Sequence, residues 1–285
     1  MEINTVYINE ENYPLMLNGI ADPPNPIYYI GDISLASKRC VAIVGSRKST
    51  DYGQWAAFKL AERLGECGVP VVSGMAQGVD SFAHKGALKA GGKTIAVLGC
   101  GIDICYPASS KRLRDEIMKE GLVLSEYGEG VPPARYTFPK RNRIISGICE
   151  TVVVTQAGNQ SGALITAEIA ADQGRNVYSV PGNINNIYNL GNNKLLRDGA
   201  IPLVVLEDLL ADMGIQSHKI QEVEKNLGKD EKNIYKLLAK GGEMTVDQLC
   251  SETGVPVGVV NGLVTILEMK GLVLTSLGKV FIAKS

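Results

Sequence analysis

The sequence lacks the long apolar runs that membrane-spanning helices require. Such a helix needs about 20 consecutive apolar residues, and no run within the 285 residues approaches that length. The N-terminus, Met-Glu-Ile-Asn-Thr, also lacks the basic region and apolar core of a secretory signal peptide. We therefore expect a cytoplasmic protein with no membrane contact.

Histidine is scarce, and the cysteines show no regular spacing. The chain has 2 histidines and 6 cysteines, and Cys100 and Cys105 have no second pair of ligands that would complete a zinc site. The cysteines are typical of free thiols in a reducing compartment. No turn matches the dinucleotide-binding fingerprint or the phosphate-binding P-loop. We therefore expect no metal site and no bound cofactor.

Neither sign of charge is in excess, because the formal net charge is −1. This balance excludes a bulk polycation, but partners respond to local charge. The basic residues cluster in three groups, the last of which spans nine residues without an acid. These groups are Lys38, Arg39, Arg47 and Lys48; Lys111, Arg112 and Arg114; and Arg135, Lys140, Arg141 and Arg143.

The stretch 41–50, which reads VAIVGSRKST, predicts a strand, a tight turn and a helix start. Val41–Val44 is a short β-branched run, as in a strand buried on both faces. The serine or threonine at the end of the stretch can cap a helix over 51–66. A helix N-terminus attracts phosphate, and Arg47 and Lys48 in the same turn reinforce that attraction. The alternative is an ordinary loop with two solvated cations.

The chain repeats this pattern of strand, turn and helix from residue 40 onward. Such alternation predicts an α/β fold in which helices cover both faces of a parallel sheet. Right-handed crossovers bring the strand-to-helix turns to the carboxyl edge of the sheet, where ligands bind. The predicted strands are 41–44, 70–73, 93–98, 122–125, 151–155, 176–180 and 201–205, and the predicted helices are 51–66, 80–90, 109–120, 140–149, 162–173, 190–198 and 206–212.

Six turns at that predicted edge are rich in glycine, which lets the backbone approach a ligand closely. One such turn is common, but six on a single edge predict a long or multi-part ligand that bears phosphate. The turns are 45–47, 73–80, 99–107, 125–130, 156–163 and 181–183.

Composition divides the chain into four segments. Residues 1–39 form a Pro-rich lead-in with one strand, packed on the main domain of residues 40–213. Residues 214–228 are a polar linker, and residues 229–285 show three helical patterns and a hairpin, which is typical of a winged helix. The would-be recognition helix of that module has one cation. Because arginine is the commonest reader of guanine, we expect this module to contact protein instead of duplex DNA.

The turns resemble motifs of the DNA-processing protein A family (DprA, also called Smf). The matches form one collinear series over roughly residues 13–210, and a winged-helix tail occurs in many members. The matching motifs include Val44-Gly45-Ser46-Arg47, Val72-Ser73-Gly74, Gly78-Val79-Asp80, Phe138-Pro139, Arg141-Asn142-Arg143, Ser161-Gly162-Ala163 and Val180-Pro181-Gly182.

This resemblance implies a Rossmann-like domain, with a mostly parallel sheet, that binds single-stranded DNA without sequence specificity. It also implies a homodimer that helps to load the RecA recombinase during natural transformation, and it implies no catalysis. By match to the family motifs, DNA is expected to contact Ser46, Arg47, Lys48, Gly74, Lys111, Arg141, Asn142, Arg143, Ser161 and Gly162. The residues expected at the dimer interface are Leu195, Leu196, Ile201 and Pro202.

The chain departs from the family pattern in two of its loops. Gln77 stands where the family usually has Arg or Lys, and Gln156 stands where Glu is common. Asn159-Gln160 occupies a place where a basic residue is frequent. These departures predict fewer phosphate contacts from the two loops.

Some features admit alternatives. Tyr136 and Phe138 are interleaved with four cations, which is typical of single-strand binding, although the alternative places Phe138 in the core. Asp80 and His84 share a helix face; we favour a capping Asp and a buried His over an acid–base pair. The stretch ending at Glu168 loosely resembles phosphoribohydrolases that cleave nucleoside monophosphates, so a nucleotide hydrolase is one rival function, and a winged-helix regulator is another.

Overall fold

The computed structural model describes residues 2–215, 227–276 and 278–283, which fall into two compact units, Met1–Ile215 and Gln216–Ser285. Most of the linker predicted at 214–228 lies outside the described residues.

A nine-stranded sheet forms the centre of the first unit. Its strands are β1 (Asn4–Val6), β2 (Ile27–Gly31), β3 (Val41–Gly45), β4 (Val71–Ser73), β5 (Thr94–Leu98), β6 (Leu122–Ser125), β7 (Thr151–Gln156), β8 (Asn176–Ser179) and β9 (Ile201–Pro202). Their order is β1-β2-β6-β5-β4-β3-β7-β8-β9. All neighbours from β6 to β9 are parallel, whereas β2 pairs antiparallel with both β1 and β6. The mostly parallel α/β fold is thereby confirmed.

This unit has seven α-helices, of which the first six connect strands and the seventh follows β9. They are α1 (Asp51–Glu66), α2 (Val79–Lys89), α3 (Lys111–Glu120), α4 (Thr137–Ile148), α5 (Gly162–Asp172), α6 (Leu190–Arg197) and α7 (Leu206–Asp212). Three short 3₁₀ helices cover Leu15–Gly19, Ile33–Ser37 and Ala108–Ser110.

Helices cover both faces of the sheet because alternate strand residues point to opposite sides. Val41 and Ile43 of β3 pack with α1, α2 and α7 in one apolar cluster. Ala42 and Val44 pack with α4 and α5 in another. A central strand therefore needs apolar residues at every position, and this requirement explains the continuous β-branched run in the sequence.

The lead-in contains two strands where the sequence predicted one. β2 pairs with β6, and β1 then pairs with β2 at the outer edge of the sheet. β1 has only three residues, too few to show a hydrophobic period in the sequence.

Helix α4 begins at Thr137, three residues before the predicted start. Pro139 lies in its first turn, where proline is tolerated because the first N–H groups of a helix have no partner within it. Arg141 and Arg143 therefore lie in the second turn of α4, whereas the predicted start at residue 140 would have placed them in its first turn.

The second unit has the predicted three helices and hairpin of a winged helix. Its helices are α8 (Lys229–Gly241), α9 (Val246–Thr253) and α10 (Val257–Met269), and its strands are β10 (Glu243–Thr245), β11 (Val273–Ser276) and β12 (Lys279–Ile282). Thr245 caps α9 by accepting a hydrogen bond from the Gln248 N–H at 3.2 Å. The one cation near α10, Lys270, pairs with Glu231 at 2.8 Å.

Within the described part of the chain, no single helix is long and apolar enough to cross a membrane. The helices Val246–Thr253 and Val257–Met269 reach that length and apolar character only when counted together, and they are bent relative to each other by 111°.

Asp80 and His84 have separate partners, in agreement with a structural role. Gly78 is the N-cap of α2, so the prediction that Asp80 caps this helix is wrong. Asp80 is the second residue of α2 and accepts a hydrogen bond from the Ala76 N–H at 3.3 Å. His84 Nδ1 lies 2.7 Å from Thr94 Oγ1, whose proton is donated to the Val71 carbonyl. Nδ1 must therefore donate to Thr94, which leaves the buried Nε2 without a partner among the described residues. Burial, reinforced by the positive charge of Arg141, lowers the pKa of His84 to about 3.

The buried His84 predicts a loss of stability in acid. The unfolded chain takes up a proton near pH 6.5, whereas the folded chain does so only near pH 3. The contribution is therefore complete above the unfolded pKa and is lost as pH falls toward the folded one, by about 2 kcal/mol at about pH 5. We expect the unfolding free energy of the wild type, from urea titrations, to fall more steeply between about pH 7 and 5 than that of His84→Gln. Parallel pH profiles would contradict this assignment.

Candidate nucleic-acid interface

A pocket of about 850 Å³ opens at the carboxyl edge of the sheet. The end of β3, the turn after it, α4, the start of α5 and the loop after β8 all contribute to its walls. It brings together seven of the residues predicted from the sequence, namely Ser46, Arg47, Lys48, Arg141, Asn142, Ser161 and Gly162. Gly74 lines a smaller cavity of about 110 Å³, which shares Arg47 and Arg141 with the larger one.

The turn that carries Arg47 is held by backbone contacts. The Ser46 N–H donates to the Gln156 carbonyl at 2.7 Å, and the Ser46 carbonyl accepts from the Val79 N–H at 3.3 Å. Gly78 lies against this turn with a φ of +77°, and a Cβ there would lie 2.4 Å from the Ser46 oxygen. Only glycine meets both demands.

The Arg47 guanidinium is exposed and lies 5.0 Å from the centre of the Phe138 ring. Phe138 in turn contacts Tyr106, with ring centres 5.5 Å apart. Among the described residues, neither Arg47 nor Lys48 forms an ion pair, so both charges face the pocket without a carboxylate partner. Phe138 is half-buried beneath Arg47, so its ring is part of the pocket wall.

Arg141 is buried in the floor of the pocket. One guanidinium nitrogen donates to the carbonyls of Gly74, at 2.7 Å, and Val97. Burial lowers the pKa of Arg141 to about 10, although Asp80 opposes the shift, so the group stays charged at neutral pH. Burial also raises the pKa of Asp80, against the influence of Arg141. Arg141 therefore supplies a fixed positive charge, with part of its donor capacity already used by the protein.

Arg143 and Lys111 lie outside the pocket lining. The Arg143 side chain pairs with Asp22 of the lead-in at 3.0 Å and with Glu126. Lys111 is exposed and pairs with Asp115, one helical turn along α3, at 3.0 Å. The structure thus separates these two cations from the other predicted contacts.

The start of α5 forms one wall of the pocket. Ser161 caps this helix, accepting from the Ala163 N–H at 3.4 Å, and the exposed Gly162 is its first residue. No acid lies in the first turn. The free N–H groups of such a helix start favour an anion.

The three family departures differ in position. Gln160 lines the large pocket, and Gln77 lines the smaller one. Gln156 is fully buried, where its amide accepts from the Thr50 N–H at 2.7 Å and donates to Asn189 at 2.8 Å. Gln156 therefore caps α1 in place of the predicted hydroxyl and connects this helix to the loop before α6.

The pocket also includes residues that sequence reasoning missed as contacts. Tyr106 follows the Gly-rich turn after β5, and Ile187 and Tyr188 follow the turn after β8. These residues could have been predicted as contacts, because each follows a strand that ends at the carboxyl edge of the sheet. Glu168, the acid of the hydrolase alternative, is exposed and outside the lining.

Charge in the lining is strongly one-sided. Four cations, Arg47, Lys48, Arg135 and Arg141, line the pocket with a single acid, Asp80. The start of α5 and an aromatic wall accompany them. This arrangement suits a chain of phosphates that carries flat rings.

Comparisons with known proteins agree with this geometry. Residues 4–214 match the family described as DNA recombination-mediator protein A, and residues 221–279 match the DprA winged helix domain. The chain is 43% identical to DNA processing protein DprA of Streptococcus pneumoniae over 205 residues, which are 72% of each chain. It is 35% identical to protein Smf of Escherichia coli over 272 residues, which are 92% of this chain and 73% of that one.

A solved structure of DNA processing protein A from Helicobacter pylori, described for its single-stranded DNA binding mode, is also similar. It has a TM-score of 0.68 and 31% identity, and the match covers 74% of this chain and 95% of that chain.

Gly74 is predicted to be essential for the position of Arg141. A Cβ at residue 74 would lie 2.6 Å from Nη2 and 2.7 Å from Nη1 of the Arg141 guanidinium, and the Gly74 and Val97 carbonyls hold Nη1 in place. We expect Gly74→Ala to lower the unfolding free energy, measured in urea, by about 1–3 kcal/mol through overpacking. Gly162→Ala is the matched control, because a Cβ there meets nothing within 4 Å, and it should cause no loss. Equal stabilities of the two variants would contradict the role of Gly74.

Proposed function

Because the chain belongs to the DNA recombination-mediator protein A family, we propose that it binds single-stranded DNA in the pocket at the carboxyl edge of its sheet. The observation that carries the proposal is the lining, with four cations to one acid beside the start of α5 and aromatic side chains. Phosphates would meet the cations and free N–H groups, and bases would meet the rings.

Arg47 is the proposed leading contact. Its guanidinium is exposed, rests on Phe138 and has no carboxylate partner among the described residues. A planar fork held on an aromatic face is oriented for a phosphate, and Lys would not match this geometry. Because such contacts reach the DNA backbone, binding is proposed to be independent of base sequence.

Single strands fit this pocket better than duplexes. Phe138 is half-buried in the wall, with Tyr106 against it. Bases can stack on such rings only when they are unpaired and splayed from the backbone. The winged helix adds no obvious duplex reader, since Lys270 beside α10 pairs with Glu231, and Val259 and Met269 are exposed on that helix.

We further propose that the bound strand is passed to the RecA recombinase, as the family description of a recombination mediator suggests, in the setting of DNA uptake. A mediator must hold DNA loosely enough to release it, and backbone contacts with stacking that tolerates any base allow this. The test is RecA assembly on single-stranded DNA, which the chain should accelerate and which the Arg47→Ala variant should not. Equal acceleration by that variant would contradict the proposal.

A homodimer through the β9 edge is also proposed. Ile201 and Pro202 form the last strand of the sheet, whose outer side is unpaired in the described chain. Ile201 is 40% exposed, and the nearby Val204 is 73% exposed. Leu195 instead packs partly on the core, and Leu196 is half-buried. An unpaired edge with apolar side chains is a natural contact between two copies.

A substitution of Arg47 tests the proposed DNA contact. We expect Arg47→Ala to weaken binding to all single-stranded sequences about 10- to 150-fold, because one charged hydrogen-bonding group is lost. The salt dependence should flatten by about 0.7, the slope for one phosphate contact on a single strand. Affinity at several salt concentrations, together with a thermal melt, measures both effects.

Lys111→Ala is the matched control for this test, since Lys111 is an exposed cation outside the pocket. Its affinity and salt slope should equal those of the wild type. A preference of the wild type for duplex oligonucleotides would contradict the proposed function, as would an Arg47→Ala variant that melts earlier but keeps its salt slope.

A substitution at the β9 edge tests the proposed dimer. Ile201→Glu places a charge on the proposed interface and should give a folded monomer by light scattering, with a thermal midpoint that no longer depends on protein concentration. Leu15→Glu is the control, because Leu15 is another exposed apolar residue, in the lead-in and 77% exposed, and it should leave the dimer intact. A dimeric Ile201→Glu variant would exclude this edge as the interface.

A further inference from the structure

An exposed pair of aromatic rings lies on the first turns of α1, outside the pocket lining. Trp55 is the only tryptophan in the chain, and it is 53% exposed. Tryptophan is usually well buried, so this exposure calls for an explanation. Tyr52 lies three residues earlier with its ring centre 6.2 Å from that of Trp55 and the planes 24° apart.

The rings are held in place before any ligand arrives. The Tyr52 hydroxyl donates to the Pro181 carbonyl at 3.1 Å, and the two rings stack on each other. A ligand that stacks on this pair would therefore cost little side-chain entropy.

Two connections along the chain place the ring pair close to the pocket. Lys48 lines the pocket, and Tyr52 is four residues later, so their Cα atoms are at most about 14 Å apart. Pro181, which Tyr52 contacts, begins the loop whose Ile187 and Tyr188 also line the pocket. A strand that leaves the pocket past Lys48 would reach the rings within a few nucleotides.

The surroundings fit a nucleobase better than a protein partner. The apolar surface on this face of α1 is short, because Lys59 and Glu62 follow within two turns and pair at 2.7 Å. A stable protein interface needs about 800 Å² from each partner, which two rings do not supply. A single flat ring needs only a flat aromatic face with a cation nearby, and the exposed Lys48 is four residues before Tyr52 in the chain.

We propose that Tyr52 and Trp55 form a second contact for single-stranded DNA, which stacks a base of the strand emerging from the pocket past Lys48. This inference rests on the proposed function and extends the bound strand beyond the pocket. The short strand segment that fills the pocket would not touch the pair, whereas a longer strand would.

The single tryptophan makes the contact directly measurable in the full chain. Oligothymidylates from about 4 to about 16 nucleotides, the range of known single-strand site sizes, serve as probes. We expect the fluorescence of Trp55 to stay constant with the shortest bound probe and to be quenched by the longer ones. Binding itself is followed independently by the anisotropy of a dye on the oligonucleotide.

Variants provide the second measurement. Trp55→Ala should lower affinity for the longest probe about 5- to 150-fold, the loss expected for one stacked base, and leave the shortest probe unaffected. Trp55→Phe should retain most of the affinity because it keeps a ring. Tyr7→Ala removes an exposed tyrosine outside the pocket lining and should change nothing.

Several results would overturn the inference. If the longest probe binds without quenching, or binds Trp55→Ala as tightly as the wild type, the ring pair does not contact DNA and the proposed function stands without it. Quenching that depends on protein concentration in the absence of DNA would assign the rings to a contact between copies. If no single-stranded probe binds at all, the proposed function and this inference fail together.

Discussion

The buried charge of Arg141 is the constraint on which the pocket depends. A guanidinium without water must find acceptors, and Arg141 finds them in the Gly74 and Val97 carbonyls at the ends of β4 and β5. Those bonds join α4 to the loop between β4 and α2. Asp80 lies close enough to influence the pKa of Arg141 and binds the Ala76 N–H of the same loop. Loss of these acceptors would leave the buried charge of Arg141 without partners, which is far more costly than the loss of a surface pair.

A second buried polar group holds the opposite side of the pocket. Gln156, at the end of β7, binds Thr50 at the start of α1 and Asn189 before α6. Asn192 continues the connection by donating to the carbonyls of Val154 and Val180 at 2.8 and 3.1 Å. These amides carry no charge, so they connect three Gly-rich loops without competing with the cations for a phosphate. A Glu at residue 156 would add a negative charge beside the turn that carries Arg47.

These two buried connections leave the exposed cations free for a ligand. The field at the floor comes from Arg141, which does not move, whereas Arg47 and Lys48 present their charges from a turn that backbone contacts hold. Arg143 is not free in this way, because it forms ion pairs with Asp22 and Glu126. Its pair with Asp22 attaches the lead-in to α4. Two arginines separated by one residue thus have different roles. One lies in the pocket floor, and the other joins two segments of the chain.

The sequence alone determined the architecture and the edge at which the site lies. The β-branched run at Val41–Val44, the regular alternation of strand and helix, and the glycines after each strand define a parallel sheet, and its handedness brings the turns to one edge. Side-chain direction was not available from the sequence, because it depends on where each helix starts and which partners surround it. The start of α4 at Thr137, with Pro139 in its first turn, rotated Arg141 inward and Arg143 toward Asp22. Likewise only the tertiary structure placed Phe138 beneath Arg47 and buried Gln156 between two loops, since these contacts join residues that are about a hundred positions apart. Local pattern determined the elements, and long-range packing determined which charges face the pocket.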